Sequence, residues 1–154
     1  MHSDQEVNFL CDQNLGRLAK WLRIMGFDAE FMPFWDRAKM RSATSCGRVV
    51  LTRRKKMVDQ KGFYVVDDDN IMNQLQSIEK RFHLRSKRRP FSRCCICNIE
   101  LVSVEHQEVH DLVPEYVYST QETFAKCPSC RKIYWKGTHI AKSIDFINRI
   151  GGKQ

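Results

Sequence analysis

Residues 7–28 read VNFLCDQNLGRLAKWLRIMGFD, and this stretch decides the fold of the first half of the chain. It opens with a short apolar run that stops at Asp12, which is the pattern of a strand buried on both faces. The apolar spacing then becomes that of one face of a helix, and Gly26 stands where a glycine commonly ends a helix. We therefore predict a strand, a tight turn that holds Asp12, and an amphipathic helix. The helical stripe consists of Leu15, Leu18, Ala19, Leu22 and Met25.

Asp12 has two interpretations at this stage. In open α/β sheets, ligands bind beyond the carboxyl ends of the strands, so Asp12 lies where functional residues are commonly found. The alternative is that its carboxylate only caps the helix that follows. This stretch of sequence by itself leaves both interpretations open.

Three further strand-like runs follow and alternate with helical segments up to residue 83. The runs are residues 29–32, 49–51 and 63–66. Strands that alternate with helices predict an α/β domain, with a parallel sheet covered by helices. Because the carboxyl ends of parallel strands share one edge, we expect Asp12 and Asp36 to lie there with the polar residues that follow the later strands. Those residues are Arg53, Arg54, Asp67, Asp68 and Asp69.

The composition favours an anionic partner, with nucleic acid as the first choice. The chain has 154 residues, a formal net charge of +8 at pH 7 and a sequence pI of about 9.3. No apolar run approaches the ~20 residues of a membrane span, and the first residues are polar rather than a secretory signal. Seven cysteines in such a chain indicate metal ligation in a reducing compartment, for which we expect the cytoplasm.

The most specific motif lies in the second half and consists of two Cys-x-x-Cys pairs. Cys94 and Cys97 form the first pair, and Cys127 and Cys130 form the second. Four thiolates suit tetrahedral zinc, and they leave no open position, so we expect a structural site. Short strand-like runs near both pairs predict a zinc ribbon, which is too small to fold stably without its metal.

These features divide the chain into an α/β domain at 1–84, a basic linker at 85–93 and a zinc ribbon with a C-terminal tail at 94–154. The linker reads RSKRRPFSR, and its charges suit RNA phosphates as well as a solvated surface. After the second cysteine pair, residues 134–139 read YWKGTH; these aromatics could stack on bases or close the core of the ribbon. The residues that we expect to contact RNA are Arg53, Arg54, Lys55, Arg88, Arg89, Lys136 and His139.

Six blocks, in this order, carry a family resemblance. They are residues 9–30 (FLCDQNLGRLAKWLRIMGFDAE), Asp36, 49–53 (VVLTR), 65–75 (VVDDDNIMNQL), 93–98 (RCCICN) and 127–139 (CPSCRKIYWKGTH). Together they resemble the Mut7-C ribonuclease family, a PIN-like nuclease domain followed by a zinc ribbon. The resemblance implies a PIN-like α/β fold and RNA hydrolysis at an acidic site that holds Mg²⁺ or Mn²⁺. It implies Asp12 and Asp36 as ligands of that ion, with Asp67 and Asp68 as further catalytic candidates.

One position departs from the family pattern. The family typically has LTRD after its third strand, whereas this chain has Leu51, Thr52, Arg53 and Arg54. Arginine is a fixed cation without acceptor atoms, so it repels Mg²⁺ and attracts phosphate. Two functions therefore stay open. The first is a metal-dependent endoribonuclease whose zinc ribbon assists RNA binding. The second is a noncatalytic RNA- or ribonucleoprotein-binding protein on a degenerate nuclease scaffold.

Overall fold

A computed structural model describes residues 5–151, and its first half is an α/β domain built on a four-stranded parallel sheet. The elements are β1 (Phe9–Cys11), α1 (Gly16–Ile24), β2 (Ala29–Phe31), α2 (Arg37–Ser45), β3 (Val49–Thr52), β4 (Phe63–Val65) and α3 (Ile71–Phe82). The strand order is β2-β1-β3-β4, with Leu10 of β1 level with Glu30 and Val50 on its two neighbours. The predicted α/β class and parallel sheet are confirmed.

The sheet separates two apolar cores, because successive side chains of a strand point to opposite faces. Phe9 and Cys11 belong to the larger core, which includes the buried faces of α1 and α3. Leu10 and Val50 belong to the smaller core, which α2 covers through Met40. Since β1 is buried on both faces, its carboxyl end emerges at the middle of the sheet edge.

The basic segment at 85–93, expected as a linker, packs against the end of α1. Gly26 follows that helix with φ +97°, and a Cβ at this position would overlap the Arg89 backbone carbonyl. The Arg89 backbone N–H donates to the Met25 carbonyl at 3.0 Å, and the Phe91 N–H donates to the Ile24 carbonyl at 2.9 Å. The segment is therefore fixed to the α/β domain by its own backbone.

The second half contains an antiparallel sheet of three strands, in the order β5-β6-β7. Its elements are β5 (Val102–Val104), α4 (Glu115–Thr120), β6 (Phe124–Lys126), β7 (Ile133–Trp135) and α5 (Thr138–Arg149). A small core forms around Val109, Val113, Val117 and Phe124. The structure thus adds β6, α4 and α5 to the elements that the sequence predicts.

Helix α5, expected as part of a tail, returns to the α/β domain. The Phe146 ring stacks on the Trp21 indole of α1, with their centroids 4.2 Å apart. Ile147 and Ile150 are buried in the larger core of the parallel sheet. The larger core is therefore completed by residues that follow the ribbon in sequence.

Within residues 5–151, none of the helices has the length and apolar character that a membrane crossing requires.

Candidate functional site

Asp12 lies at the carboxyl end of β1 and is only 1% exposed. Its Oδ1 accepts a hydrogen bond from the Asn14 backbone N–H at 3.1 Å. Its Oδ2 accepts from the Thr52 hydroxyl at 2.7 Å and from the Arg53 backbone N–H at 3.4 Å. The bond to Asn14 closes the turn before α1 but caps no helix, because the N-cap of α1 is Leu15 and has no side-chain cap. The other two bonds come from the last residue of β3 and the residue after it; with the bond from Asn14, they occupy three of the about four lone-pair directions of the carboxylate.

A cleft opens next to Asn14 and Arg53, two hydrogen-bond partners of this carboxylate, between the turn after β1 and the loop after β4. The Arg53 guanidinium donates to the Asp68 carbonyl and, at 2.7 Å, to Asp69 Oδ1. Gln74 of α3 donates to the same Asp68 carbonyl at 2.7 Å. Asn14, Arg53, Asp69 and Gln74 line the cleft, whose volume is about 440 Å³. The cleft is thus large enough for part of a nucleotide, and its walls are polar.

The other carboxylates expected at this edge have separate partners. Asp36 is the N-cap of α2 and accepts from the helix backbone at 3.1 Å. Asp67 lies 3.5 Å from the Lys55 ammonium, and the Asp68 carboxylate accepts from the loop that leads into α3. In the part of the chain that the structure describes, no three carboxylates lie close enough to share an ion. The structure therefore does not bring the expected carboxylates of this edge together into one cluster.

Arg54, which stands where the family pattern has an acid, is stacked on an aromatic ring. The carbon of its guanidinium lies 3.6 Å from the centroid of the Trp35 ring. Its backbone N–H donates to Thr52 Oγ1 at 3.1 Å, and that hydroxyl donates in turn to Asp12. Trp35 itself packs against the smaller core. The guanidinium of Arg54 is therefore positioned by Trp35, and its backbone is connected to the Asp12 carboxylate through Thr52.

The four cysteines of the two Cys-x-x-Cys pairs form a cluster that can hold a metal ion, here called the metal centre. The Sγ atoms of Cys94, Cys97, Cys127 and Cys130 all lie within 4.8 Å of one another, and the first and last are 3.8 Å apart. Tetrahedral zinc with bonds of ~2.3 Å places its sulfur ligands ~3.8 Å apart, so the donor set fits zinc. Burial would raise the pKa of Cys94, but hydrogen bonds from the Tyr134 hydroxyl and from backbone N–H groups lower it to about 6.

The first cysteine pair is attached to the edge of the parallel sheet. Arg23 of α1 donates to the Cys95 carbonyl at 3.1 Å. Asn98, with φ +60°, accepts from the Ala29 backbone N–H at 3.0 Å and donates to Asp28 Oδ1 at 2.7 Å. These contacts join the backbone around the metal centre to β2. A metal that orders the first cysteine pair therefore also supports the edge of the sheet.

Asp28 carries the negative charge where the backbone around the first cysteine pair meets β2. Its two carboxylate oxygens accept from the two terminal nitrogens of Arg48, each at 2.9 Å. Burial would raise the pKa of Asp28, but the hydrogen bonds from Arg48 and Asn98 outweigh that effect. The pKa of Asp28 therefore lies below its usual 3.8.

A model of the Mut7-C RNAse domain matches residues 7–147 of the chain. The chain belongs to the Mut7-C RNAse domain family. The match runs through the parallel sheet, all four cysteines of the metal centre and most of α5, so the Mut7-C domain spans both halves of the molecule. No curated protein and no solved structure matches the chain significantly.

In this Mut7-C domain, Arg88 has a structural position that the sequence analysis did not anticipate. Its side chain is 8% exposed and donates to Glu79 at 2.8 Å and to the Ile147 carbonyl at 3.1 Å. It thereby joins α3 to the end of α5, and we no longer assign it to RNA. Arg89 is exposed but lies 3.3 Å from Glu100, which offsets part of its charge.

The remaining residues expected to contact RNA are solvent-exposed. Lys136 and His139 lie after β7, and Lys55 lies beside Asp67 at the sheet edge. The two aromatics before Lys136 contact other residues of the ribbon. Trp135 packs against the small ribbon core, and the Tyr134 hydroxyl contacts Cys94. Both aromatics therefore have structural contacts within the ribbon.

The sequence analysis overlooked three residues around the candidate site. Thr52 orients Asp12, Gln74 lines the cleft, and Trp35 supports Arg54. Thr52 had a signal, because a polar residue that ends a buried strand points to the functional edge of a parallel sheet. Gln74 and Trp35 had none, since their roles depend on contacts between distant parts of the chain.

Proposed function

We propose that this Mut7-C domain is a metal-dependent endoribonuclease that cleaves RNA at the carboxyl edge of its parallel sheet. The observation that carries the proposal is the geometry of Asp12: a buried carboxylate at the end of β1, held by Thr52 and the Arg53 backbone, whose partners Asn14 and Arg53 line an open polar cleft. Carboxylates in such clefts are the usual ligands of Mg²⁺ or Mn²⁺ in phosphodiester hydrolysis.

The donor set fits a weakly held ion better than a preformed cage. Mg²⁺ commonly keeps several waters and takes only one or two carboxylates, while substrate phosphates supply further ligands. Asp12 would be the main protein ligand, and Asp36, Asp67 and Asp68 are the remaining candidates. When bound, the ion supplies the charge that polarises the phosphodiester and the attacking water.

The residues around Asp12 have separate tasks in this proposal. The Thr52 hydroxyl and the Arg53 backbone N–H hold the carboxylate in one orientation. Lys55 adds positive charge to the same edge and attracts the RNA backbone. The zinc ribbon fixes the edge of the sheet and presents Lys136 and His139 to RNA. The thiolates require a reducing compartment, for which we propose the cytoplasm.

A second candidate function is RNA or ribonucleoprotein binding without cleavage. Two observations favour it: Arg54 stands as a cation where the family pattern has an acid, and the carboxylates of the edge do not gather around one point. The same positive charges would hold RNA, but no divalent ion would be retained.

Replacement of Asp12 separates the two functions. Purified protein with Mn²⁺ is incubated with a labelled single-stranded RNA, and cleavage and binding are measured for the wild type and for Asp12→Asn. We expect the wild type to cleave and EDTA to stop cleavage, while Asp12→Asn binds RNA without cutting it. Asp111→Asn, an exposed aspartate on the ribbon, is the matched control and retains full activity.

Thermal melts confirm that each variant is folded. Binding by the wild type without any cleavage would favour the second function. Cleavage that survives EDTA or the Asp12 substitution would refute the proposed site.

A further inference from the structure

Three residues near the carboxyl edge are not used by the proposed chemistry: Phe34, its chain neighbour Trp35, and Arg54, which stacks on Trp35; they are here called the aromatic–arginine patch. Phe34 and Trp35 lie in the loop between β2 and α2, directly before Asp36. Phe34 is 66% exposed, whereas Trp35 is partly buried and carries the stacked guanidinium of Arg54. The patch therefore combines a rigid support, a planar cation and an exposed ring.

The N–H groups of the Arg54 guanidinium have no acceptor among the described residues. Within residues 5–151, no carboxylate or carbonyl accepts a hydrogen bond from its guanidinium, whereas Arg53 and Arg48 both form ion pairs with aspartates. Its position is nevertheless fixed, by the Trp35 ring and by its backbone bond to Thr52. A guanidinium that is held in place with free N–H groups is prepared to bind an anion, and its planar edge matches phosphate oxygens.

Phe34 suits a different part of the same ligand. An exposed aromatic ring beside a phosphate-binding group is the arrangement on which proteins stack unpaired bases. A base inside a duplex is already stacked and paired, so it is not free to lie on such a ring. The pairing of Phe34 with Arg54 therefore points to a single-stranded nucleotide.

The patch is next to the proposed site. Arg54 and Asp12 are connected through Thr52, and Asp36 directly follows Trp35 in the chain. We propose that the patch binds one unpaired nucleotide of RNA, with its base on Phe34 and its phosphate on Arg54, so that the neighbouring phosphodiester lies at Asp12. This rests on the proposed RNA-directed function, and it specifies the substrate as single-stranded.

Phe34 is the residue that tests the proposal most cleanly. Trp35 contributes to the smaller core, so its replacement would also weaken the fold, whereas Phe34 packs into neither core of the parallel sheet. Binding of a labelled single-stranded RNA oligonucleotide to the zinc-loaded protein is measured by fluorescence anisotropy without added Mg²⁺ or Mn²⁺, so that no cleavage occurs. We expect Phe34→Ala to weaken binding about tenfold, in the range of base–aromatic stacking. Tyr116→Ala, at a 71% exposed tyrosine on the ribbon, leaves binding unchanged.

The salt dependence of binding tests Arg54 separately. Each phosphate contact on a single strand adds about 0.7 to the slope of log affinity against log salt. Arg54→Gln is expected to reduce the slope by that amount, while Phe34→Ala leaves it unchanged because a phenyl ring contacts no phosphate. Arg81→Gln is the matched control, since Arg81 also lies over an aromatic ring, that of Phe82, at the far end of α3.

The outcomes separate this proposal from the proposed function. RNA binding that is unaffected by both Phe34→Ala and Arg54→Gln overturns the subsite and leaves RNA binding in place. Equal or tighter binding of a duplex of the same sequence also overturns the subsite. Failure of the wild-type protein to bind any RNA overturns both.

Discussion

Truncation of Ile147 to alanine should destabilise the parallel-sheet domain, although this residue lies beyond the ribbon in sequence. Ile147 is 3% exposed and packs in the larger core, where α5 meets α1 and α3. The variant removes three buried carbon atoms, which contribute ~0.8 kcal/mol each through burial alone. The cavity left behind adds to this, so we expect a loss of about 3 kcal/mol in the free energy of unfolding.

The assay is urea denaturation of the zinc-loaded protein, combined with hydrogen exchange of the amides in β1. We expect Ile147→Ala to lower the urea midpoint and to speed exchange in β1, which lies in the core that α5 completes. Ile144→Ala is the matched control, because Ile144 lies on the same helix but is 41% exposed. Similar losses for the two variants, or unchanged exchange in β1, would show that α5 is not part of this core.

The metal centre and the ion pair at the sheet edge give two further predictions. Cys97→Ser should release zinc, unfold the ribbon and increase amide exchange in β2, because the backbone around the first cysteine pair is attached to that strand; metal-free protein with unchanged exchange would contradict this coupling. Asp28 has a lowered pKa when folded, so its ion pair with Arg48 stabilises the fold at neutral pH, and this contribution is lost as the pH falls below about 4. Asp28→Asn should therefore be less stable than the wild type at pH 7, and the gap in urea midpoint should narrow toward pH 3; a gap that does not change with pH would exclude the ion pair as its source.

Local patterns predict the parallel sheet and the place of Asp12. The change of apolar spacing at Asp12 marks the end of a strand and the start of a helix, and topology then places that carboxylate at the sheet edge. The cysteine spacing predicts the metal centre, where Cys94 rather than Cys95 joins the other three ligands. Both features are encoded within a few residues, so one sequence is enough to reveal them.

Contacts between distant parts of the chain could not be predicted in the same way. The charges in the segment at 85–93 suggest a solvated linker, yet Arg88 is buried because Glu79 and the end of α5 provide its acceptors. Arg54 is visible as a cation, but its stacking on Trp35 joins two loops that are separated by a helix and a strand. Asn70, rather than one of the three aspartates before it, caps α3.

The sequence does contain a pattern that predicts helix α5. Ile140, Ile144 and Ile147 recur at helical spacing, which predicts an amphipathic helix whose apolar face needs a partner. Of the three, Ile147 is buried against the first half of the chain whereas Ile144 stays exposed, and no local pattern identifies that partner.

Ribosomes synthesise the parallel sheet well before they reach α5. The nascent domain therefore carries an uncovered apolar surface around Trp21 until the region of Ile147 has emerged. The cysteine ligands are translated during this interval, so zinc supply during synthesis should influence how soon the surface is covered. We expect stalled nascent chains that end before residue 138 to bind chaperones and to be cut by proteases more readily than longer ones.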